Sequence, residues 1–271
     1  MSTTDTVSTS GEALAGDIER LGERLRQARQ SIGRVIFGQQ PVIDQTLIAL
    51  LSGGHVLLIG VPGLAKTRLV ETLHVVLGLE ERRVTIAGRG HPLPEPFHVV
   101  ATQNPLEQEG TYPLPEAQLD RFLLQIDIGY PDIDAERQML IATTGLAEDK
   151  PKPVMSATDL IAAQQLIRRI PVGKSVVEAI LGLVRAGRPD SEGRPEVTRH
   201  VAWGPGPRAS QALMLAVRAR AALEGRLAPS VDDVLALAHP VLRHRMALNF
   251  AARADGVTLD ALIDRLCEPY A

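Results

Sequence analysis

The chain has 271 residues, 45% of them apolar but only 3% aromatic, so leucine, valine, alanine and isoleucine must fill its core. A net charge of -3 offers no global basic excess for nucleic acid or an anionic membrane surface. The single cysteine, Cys267, excludes an internal disulfide and a cysteine-rich zinc site, and no run reaches the roughly 18 apolar residues of a membrane span.

Residues 1–13 are rich in Ser, Thr and Gly and are expected to form a disordered tail. They lack the basic and apolar regions of a secretory signal, so a cytoplasmic protein is expected. The mixed-charge pattern of 14–31 predicts an exposed amphipathic helix. Pro41 opens a second helix to about Ser52, ended by Gly53-Gly54. "HVLLIG" (55–60) predicts a short buried parallel strand, followed by a loop and a helix from Lys66 to Leu77. "FHVVATQNP" (97–105) is a second apolar run that ends in Asn-Pro. "GTYPLPEAQLDRF" reads as a Pro-punctuated loop and a short helix, and "RFLLQIDIGYP" as a third strand stopped by Pro131. From Asp132 onward the periodicity is helical, and several segments open with an Asp, Ser or Thr cap. The order predicts an α/β unit over 14–131 and an all-helical unit over 132–271, joined near the stiff stretch "EDKPKP". The basic stretch "RHRMALNFAARA" is expected to be a solvated helix face rather than a nucleic-acid contact. The histidines, His239 and His244 included, show no metal-ligand spacing.

"GVPGLAKT" (60–67) fits the phosphate-loop pattern G-x-x-x-x-G-K-[ST] except at Ala65, where the pattern has glycine. Gly60 and Gly63 let the backbone turn and bring N–H groups to phosphate oxygens, Pro62 stiffens the turn, and Leu64 and Ala65 complete it. Lys66 supplies a point charge for the outer phosphates and Thr67 a hydroxyl for Mg²⁺. The next helix points its positive end at the anion. The phosphates of a nucleotide, with Mg²⁺, are therefore the expected ligand; a plain strand-turn-helix is the alternative.

Four segments together resemble the MoxR group of AAA+ ATPases. They are "VIFGQ" (35–39), "GVPGLAKT", "LPEPFHVVATQNPLEQEGTYPLPEAQLDRF" (93–122) and "GPGPRAS" (204–210). The resemblance spans roughly residues 30 to 270, and its long central block is the most specific part. In that family alanine often stands where Ala65 does. The resemblance implies a parallel AAA+ sheet followed by a helical lid, a hexameric ring, chaperone-like remodelling driven by ATP hydrolysis, and partners with von Willebrand factor A domains. It implies that Asn104 places the attacking water, that Arg121 is the arginine finger for a neighbouring subunit, and that Arg208 is the lid's sensor residue. It also implies that Val35, Ile36 and Gly38 pack on the adenine. The plainer alternatives are a turn-forming Asn104 before Pro105, a surface Arg121 paired with Asp120, a solvated Arg208, and an apolar core role for Val35 and Ile36.

A phosphate-loop ATPase also needs an apolar strand that closes in Asp or Asp-Glu. The interval from Arg68 to Gln103 has no Asp, and its acids, Glu71, Glu80, Glu81 and Glu95, close no apolar run. "LVETLHVVLGLE" resembles the helix after the loop, and "ERRVTIAGRGHPLPEP" the hairpin before the Asn-bearing strand. What the family places between them is missing, roughly two strand-helix units. The family's sheet order is 5-1-4-3-2. Loss of strands two and three leaves "RFLLQIDI", "HVLLIG" and "FHVVAT" contiguous, so a reduced three-stranded core in the order 5-1-4 is expected. The "FHVVAT" edge would be open, with "RRVTIAG" as a candidate cover strand, which predicts marginal stability. Glu107, Glu109 and Asp127 are the candidate replacement acids, with Asp127 on the far strand. The sequence therefore predicts weakened nucleotide binding and severely reduced hydrolysis. It leaves open a crippled ATPase, a non-catalytic subunit in a mixed ring of intact relatives, and an internally deleted gene product.

Overall fold

A computed structural model of the chain describes residues 3–77, 95–105, 114–145, 150–190 and 194–271. Helix α1 runs over Thr3–Gly33, so the expected tail of residues 1–13 is corrected: helix already begins at Thr3. The stripe Ile18, Leu21, Leu25, Ala28 and Ile32 is buried, which anchors the helix in the core instead of leaving it exposed. Extending an anchored helix needs no new nucleus, and Ser or Thr costs only about 0.5 kcal/mol each relative to Ala.

Helix α2, Gln40–Leu51, has Pro41 in its first turn and buries residues all round, Val42, Ile43, Leu47 and Leu50 among them. Strand β1 (Val56–Ile59), helix α3 (Lys66–Leu77), strand β2 (Val100–Gln103), helix α4 (Glu116–Leu119) and strand β3 (Leu124–Asp127) follow. The three strands are parallel in the order β2-β1-β3. Val56 lies level with Val100 and Leu124, and Ile59 with Gln103 and Asp127. This is the contiguous sheet expected from the sequence. Among the described residues β2 is an edge: Val100 and Ala101 are half-buried, and Thr102 and Gln103 are exposed. The candidate cover strand "RRVTIAG" and the candidate acids Glu107 and Glu109 lie outside the described residues.

The helical region comprises α5 (Ile133–Thr144), α6 (Ala157–Arg169), α7 (Lys174–Ala186), α8 (Pro195–His200), α9 (Pro207–Leu223), α10 (Val231–Leu242), α11 (Phe250–Ala254) and α12 (Leu259–Cys267). Asp132 and Thr258 accept from the backbone N–H groups of Ala135 and Ala261, and Ser156 forms a capping box with Asp159. This region is not wholly helical. Val201–Trp203 (β4) pairs antiparallel with Ala247–Leu248 (β5). Helix α9 presents Ala209, Ala212, Ala216 and Ala219 as buried small residues and packs on α1, α2, α6, α7 and α10. Leu47, Leu58, Leu69, Leu213 and Leu237 accordingly belong to one continuous core. Among the described residues no helix is long and apolar enough to cross a membrane.

The "RHR" of the basic stretch is not a solvated helix face. Arg243–Arg245 is a 3-10 turn, and Arg245 is only 2% exposed. Apart from the Val241 carbonyl, its partners are the carboxylate and carbonyls of the segment just before β3, so the positive charge points inward. His244 is buried beside it and donates through Nε2 to the carbonyl of Phe122 at 3.0 Å, while its Nδ1 is buried without a partner.

Burial, reinforced by the Arg245 charge, pushes the His244 pKa down to about 3. His55 and His98 are lowered too, first by burial. An unfolded chain takes up these protons near pH 6.5 and the folded chain does not. This contribution is full above about pH 6.5 and is lost as pH falls toward 3. The melting temperature should therefore fall between pH 7 and pH 5. His244→Gln, which retains an amide donor for Phe122, should flatten that slope; an unchanged slope counts against the assignment.

Candidate functional site

The carboxyl end of β1 runs directly into the glycine-containing loop, and Lys66 is the first residue of α3. Its Nζ turns back to donate to the carbonyls of Gly60 and Val61, the latter at 2.9 Å. The ammonium thus sits within the loop it would serve. At Gly63 φ is +88°, and no atom lies within 4 Å of where a Cβ would stand, which leaves an open approach to the backbone. Thr67 is exposed in the first turn of α3.

Ala65, the one departure from the motif, has φ of +55°. Alanine is strained there by about 1–2 kcal/mol. Ala65→Gly is expected to stabilise the chain by about 0.5–1 kcal/mol and to raise its melting temperature by about 2–4 °C. A lowered melting temperature would show that the strain is absent.

The segment 35–39 lies between α1 and α2. Val35 and Ile36 are buried, and Gly38 has φ of +67°. A Cβ at Gly38 would collide with that of Ala135, so glycine lets α5 rest directly on this segment. A cavity of about 290 Å³ opens between this segment and the loop. Val35, Ile36 and Leu64 form one apolar wall, with Pro62 and Gly63 at the loop end. Tyr130 and Met139 also line it, together with the charged Arg68 and Glu136. Its volume is at the low end of small-molecule sites, and a mostly apolar lining with a few polar groups suits a flat heterocycle. The structure therefore joins the two motifs, 35–39 and 60–67, into one site. Sequence reasoning missed Tyr130 and Met139, whose membership follows from packing and has no local pattern, and it did not single out Gln39 within "VIFGQ".

Asn104 follows β2 at the same end of the sheet as the loop, where the N–H of Gly60 donates to the carbonyl of Gln103 at 3.2 Å. Arg121 and Arg208 lie elsewhere. Arg121 precedes β3, whose Leu124 is level with Val56, so it stands at the amino end of the strands, opposite the loop. It is exposed and makes no ion pair among the described residues. The pairing with Asp120 considered from the sequence goes instead to Arg245, at 2.8 Å. Arg208, the second residue of α9, lies 3.9 Å from Asp120. Both arginines thus gather near Asp120, away from Lys66.

Asp127 closes β3 level with Ile59, on the side of β1 away from β2, and its carboxylate is held by Arg243 and by Gln125 at 2.9 Å. Among the described residues no group of three or more His, Cys, Asp or Glu is placed to hold a metal ion. The residues present suit the phosphates and base of a nucleotide, and Thr67 is the loop side-chain oxygen that would face Mg²⁺.

Two family models match the chain: the ATPase family associated with various cellular activities over residues 74–124, and the AAA lid domain over residues 195–266. Chaperone MoxR1 of Mycobacterium tuberculosis is 33% identical over 329 aligned residues, covering 97% of this chain and 87% of the relative. Uncharacterized protein YeaC of Bacillus subtilis is 31% identical over 307 residues, covering 90% and 93%. Both alignments exceed the 271 residues of this chain, so each relative carries tens of residues without a counterpart here. A crystal structure of a candidate ATPase from Cytophaga hutchinsonii superposes with a TM-score of 0.84 at 27% identity, covering 96% of this chain and 97% of that one.

Proposed function

The chain belongs to the MoxR family of AAA+ ATPases, and on that premise we propose that it binds ATP between residues 35–39 and 60–67 but hydrolyses it very slowly. One observation carries this reading: Lys66 sits in a loop of phosphate-binding pattern beside a cavity of about 290 Å³, the size of a base, while the interval from Arg68 to Gln103 contains no Asp. Gly60, Pro62, Gly63, Leu64 and Ala65 shape the phosphate cradle, Lys66 neutralises the outer phosphates, and Thr67 faces Mg²⁺. Val35 and Ile36 pack on the base, while Gly38, which the family resemblance places there too, faces Ala135 and lets α5 close on the segment. When bound, Mg²⁺ supplies charge neutralisation across the outer phosphates. Asn104 orients a water.

Arg121 and Arg208 stand at the far end of the sheet, so they serve the nucleotide of a neighbouring subunit in a ring of six. The missing Walker B acid leaves this chain able to bind, to assemble and to lend Arg121, but poorly able to activate water. The surplus length of the aligned relatives supports the loss of an internal segment. The nucleotide-binding part ends near Pro131 and the lid follows. The ring remodels partner proteins, with von Willebrand factor A domain proteins as the expected class, and acts in the cytoplasm. Rescue by Asp127 is disfavoured because Arg243 occupies its carboxylate. The test is ATP binding and phosphate release on the same purified chain. Binding with little release supports the proposal, and no binding overturns it.

A further inference from the structure

We propose that His98 is a proton-operated latch, holding the edge strand β2 to helix α6 while its ring is neutral and releasing the strand when the ring is protonated. His98 stands just before β2, and Gln164 lies in α6. The ring nitrogen Nδ1 is 2.9 Å from the carbonyl oxygen of Gly54, which can only accept, so Nδ1 carries the hydrogen. Nε2 is 3.0 Å from the amide nitrogen of Gln164. A second bond fixes that nitrogen, to the carbonyl of Leu50 at 2.8 Å, so it donates to both and Nε2 must present its lone pair. The pattern admits one neutral tautomer and excludes the imidazolium. A second proton would set N–H against N–H. Turning the amide over would instead set its oxygen against the Leu50 carbonyl, so one bond is lost either way.

The surroundings do not favour the charged ring. On its own segment Glu95 is exposed and makes no ion pair among the described residues. Before β1 stands His55, whose pKa is lowered first by burial and second by the neighbouring His98. Its Nδ1 accepts from the N–H of Val99 at 3.2 Å, so it too must be unprotonated at that atom. From α6, Arg168 lies beside Gln164, each within 4.0 Å of where a Cβ on Gly53 would stand, and Arg218 of α9 feels the Arg168 charge. Burial lowers His98 itself, against the opposing pull of its Gly54 bond. The latch is therefore closed above the ordinary histidine value, near pH 6.5, and opens as pH falls through the lowered folded value. Among the described residues β2 pairs only with β1, so release at its start loosens a strand held on one side, the strand that leads to Asn104.

The experiment is amide hydrogen exchange on the full chain at pH 7 and pH 5, read as protection factors corrected for intrinsic rates. Protection of the β2 amides should fall at least about 10-fold more than that of β3, the other neighbour of β1, a factor that one unit of pKa difference supplies. Equal changes in the two strands would show general destabilisation alone and overturn the inference. Gln164→Leu removes the donor, so β2 should lose protection already at pH 7, and its excess pH dependence should shrink to within about 3-fold. An unchanged excess in that variant overturns the latch. Long-range proton–nitrogen NMR of the His98 ring needs no variant: hydrogen on Nδ1 at neutral pH and a titration midpoint below about 6.5 are expected. Hydrogen on Nε2, or a midpoint above that value, overturns the inference even where Gln164→Leu fails to fold.

Discussion

Arg245→Ala is expected to lower the melting temperature by roughly 10 °C, a loss of about 3–5 kcal/mol. The guanidinium is almost wholly buried, and all of its N–H groups are used. Nε donates to the Asp120 carboxylate at 2.8 Å. One terminal nitrogen reaches the carbonyls of Leu123 at 3.1 Å and Val241 at 2.6 Å, and the other those of Asp120, at 3.1 Å, and Phe122. Truncation takes the guanidinium from the half-buried Asp120 carboxylate and from the carbonyls of Asp120, Leu123 and Val241, leaving Phe122 with His244 alone, and that combined penalty exceeds the value of any one bond. Asp120→Asn keeps the shape and the carbonyl acceptors, so its loss should be clearly smaller. Thermal melts of the two variants check this; equal and small losses would show that the clamp contributes little. The same clamp holds the segment that carries Arg121, so it couples lid packing to the position of the proposed finger.

Lys66→Ala should weaken ATP binding by on the order of 100-fold, because hydrogen bonds to a charged phosphate are each worth about 1.5–3 kcal/mol. Stability should change by less than about 0.5 kcal/mol, since the half-buried Lys66 now contacts only two carbonyls of its own loop. Titration calorimetry beside a melt separates the two effects. Affinity unchanged in a folded variant would remove this loop from the account.

The strands were legible because each apolar run is short and stopped by Gly60, by Asn104-Pro105 or by Pro131. The phosphate loop is contiguous and carries its own chemistry. Caps at Asp132, Ser156 and Thr258 are likewise local. Arg245 was misread because local basic charge suggests solvent, while most of its acceptors lie more than 120 residues earlier in the chain. Part of the cavity lining was invisible for a similar reason: Tyr130 and Met139 reach it because Ala135 rests on Gly38, a contact no periodicity encodes. The amino-terminal extension of α1 was missed because a polar composition does not show that an anchored helix continues through it.

Phosphate release at saturating ATP and Mg²⁺, measured beside a family member that retains the acidic strand, tests the central claim most directly. Release near background from a chain that binds ATP is the expected result. Turnover comparable to that of the intact relative would contradict it and require an acid within reach of the loop.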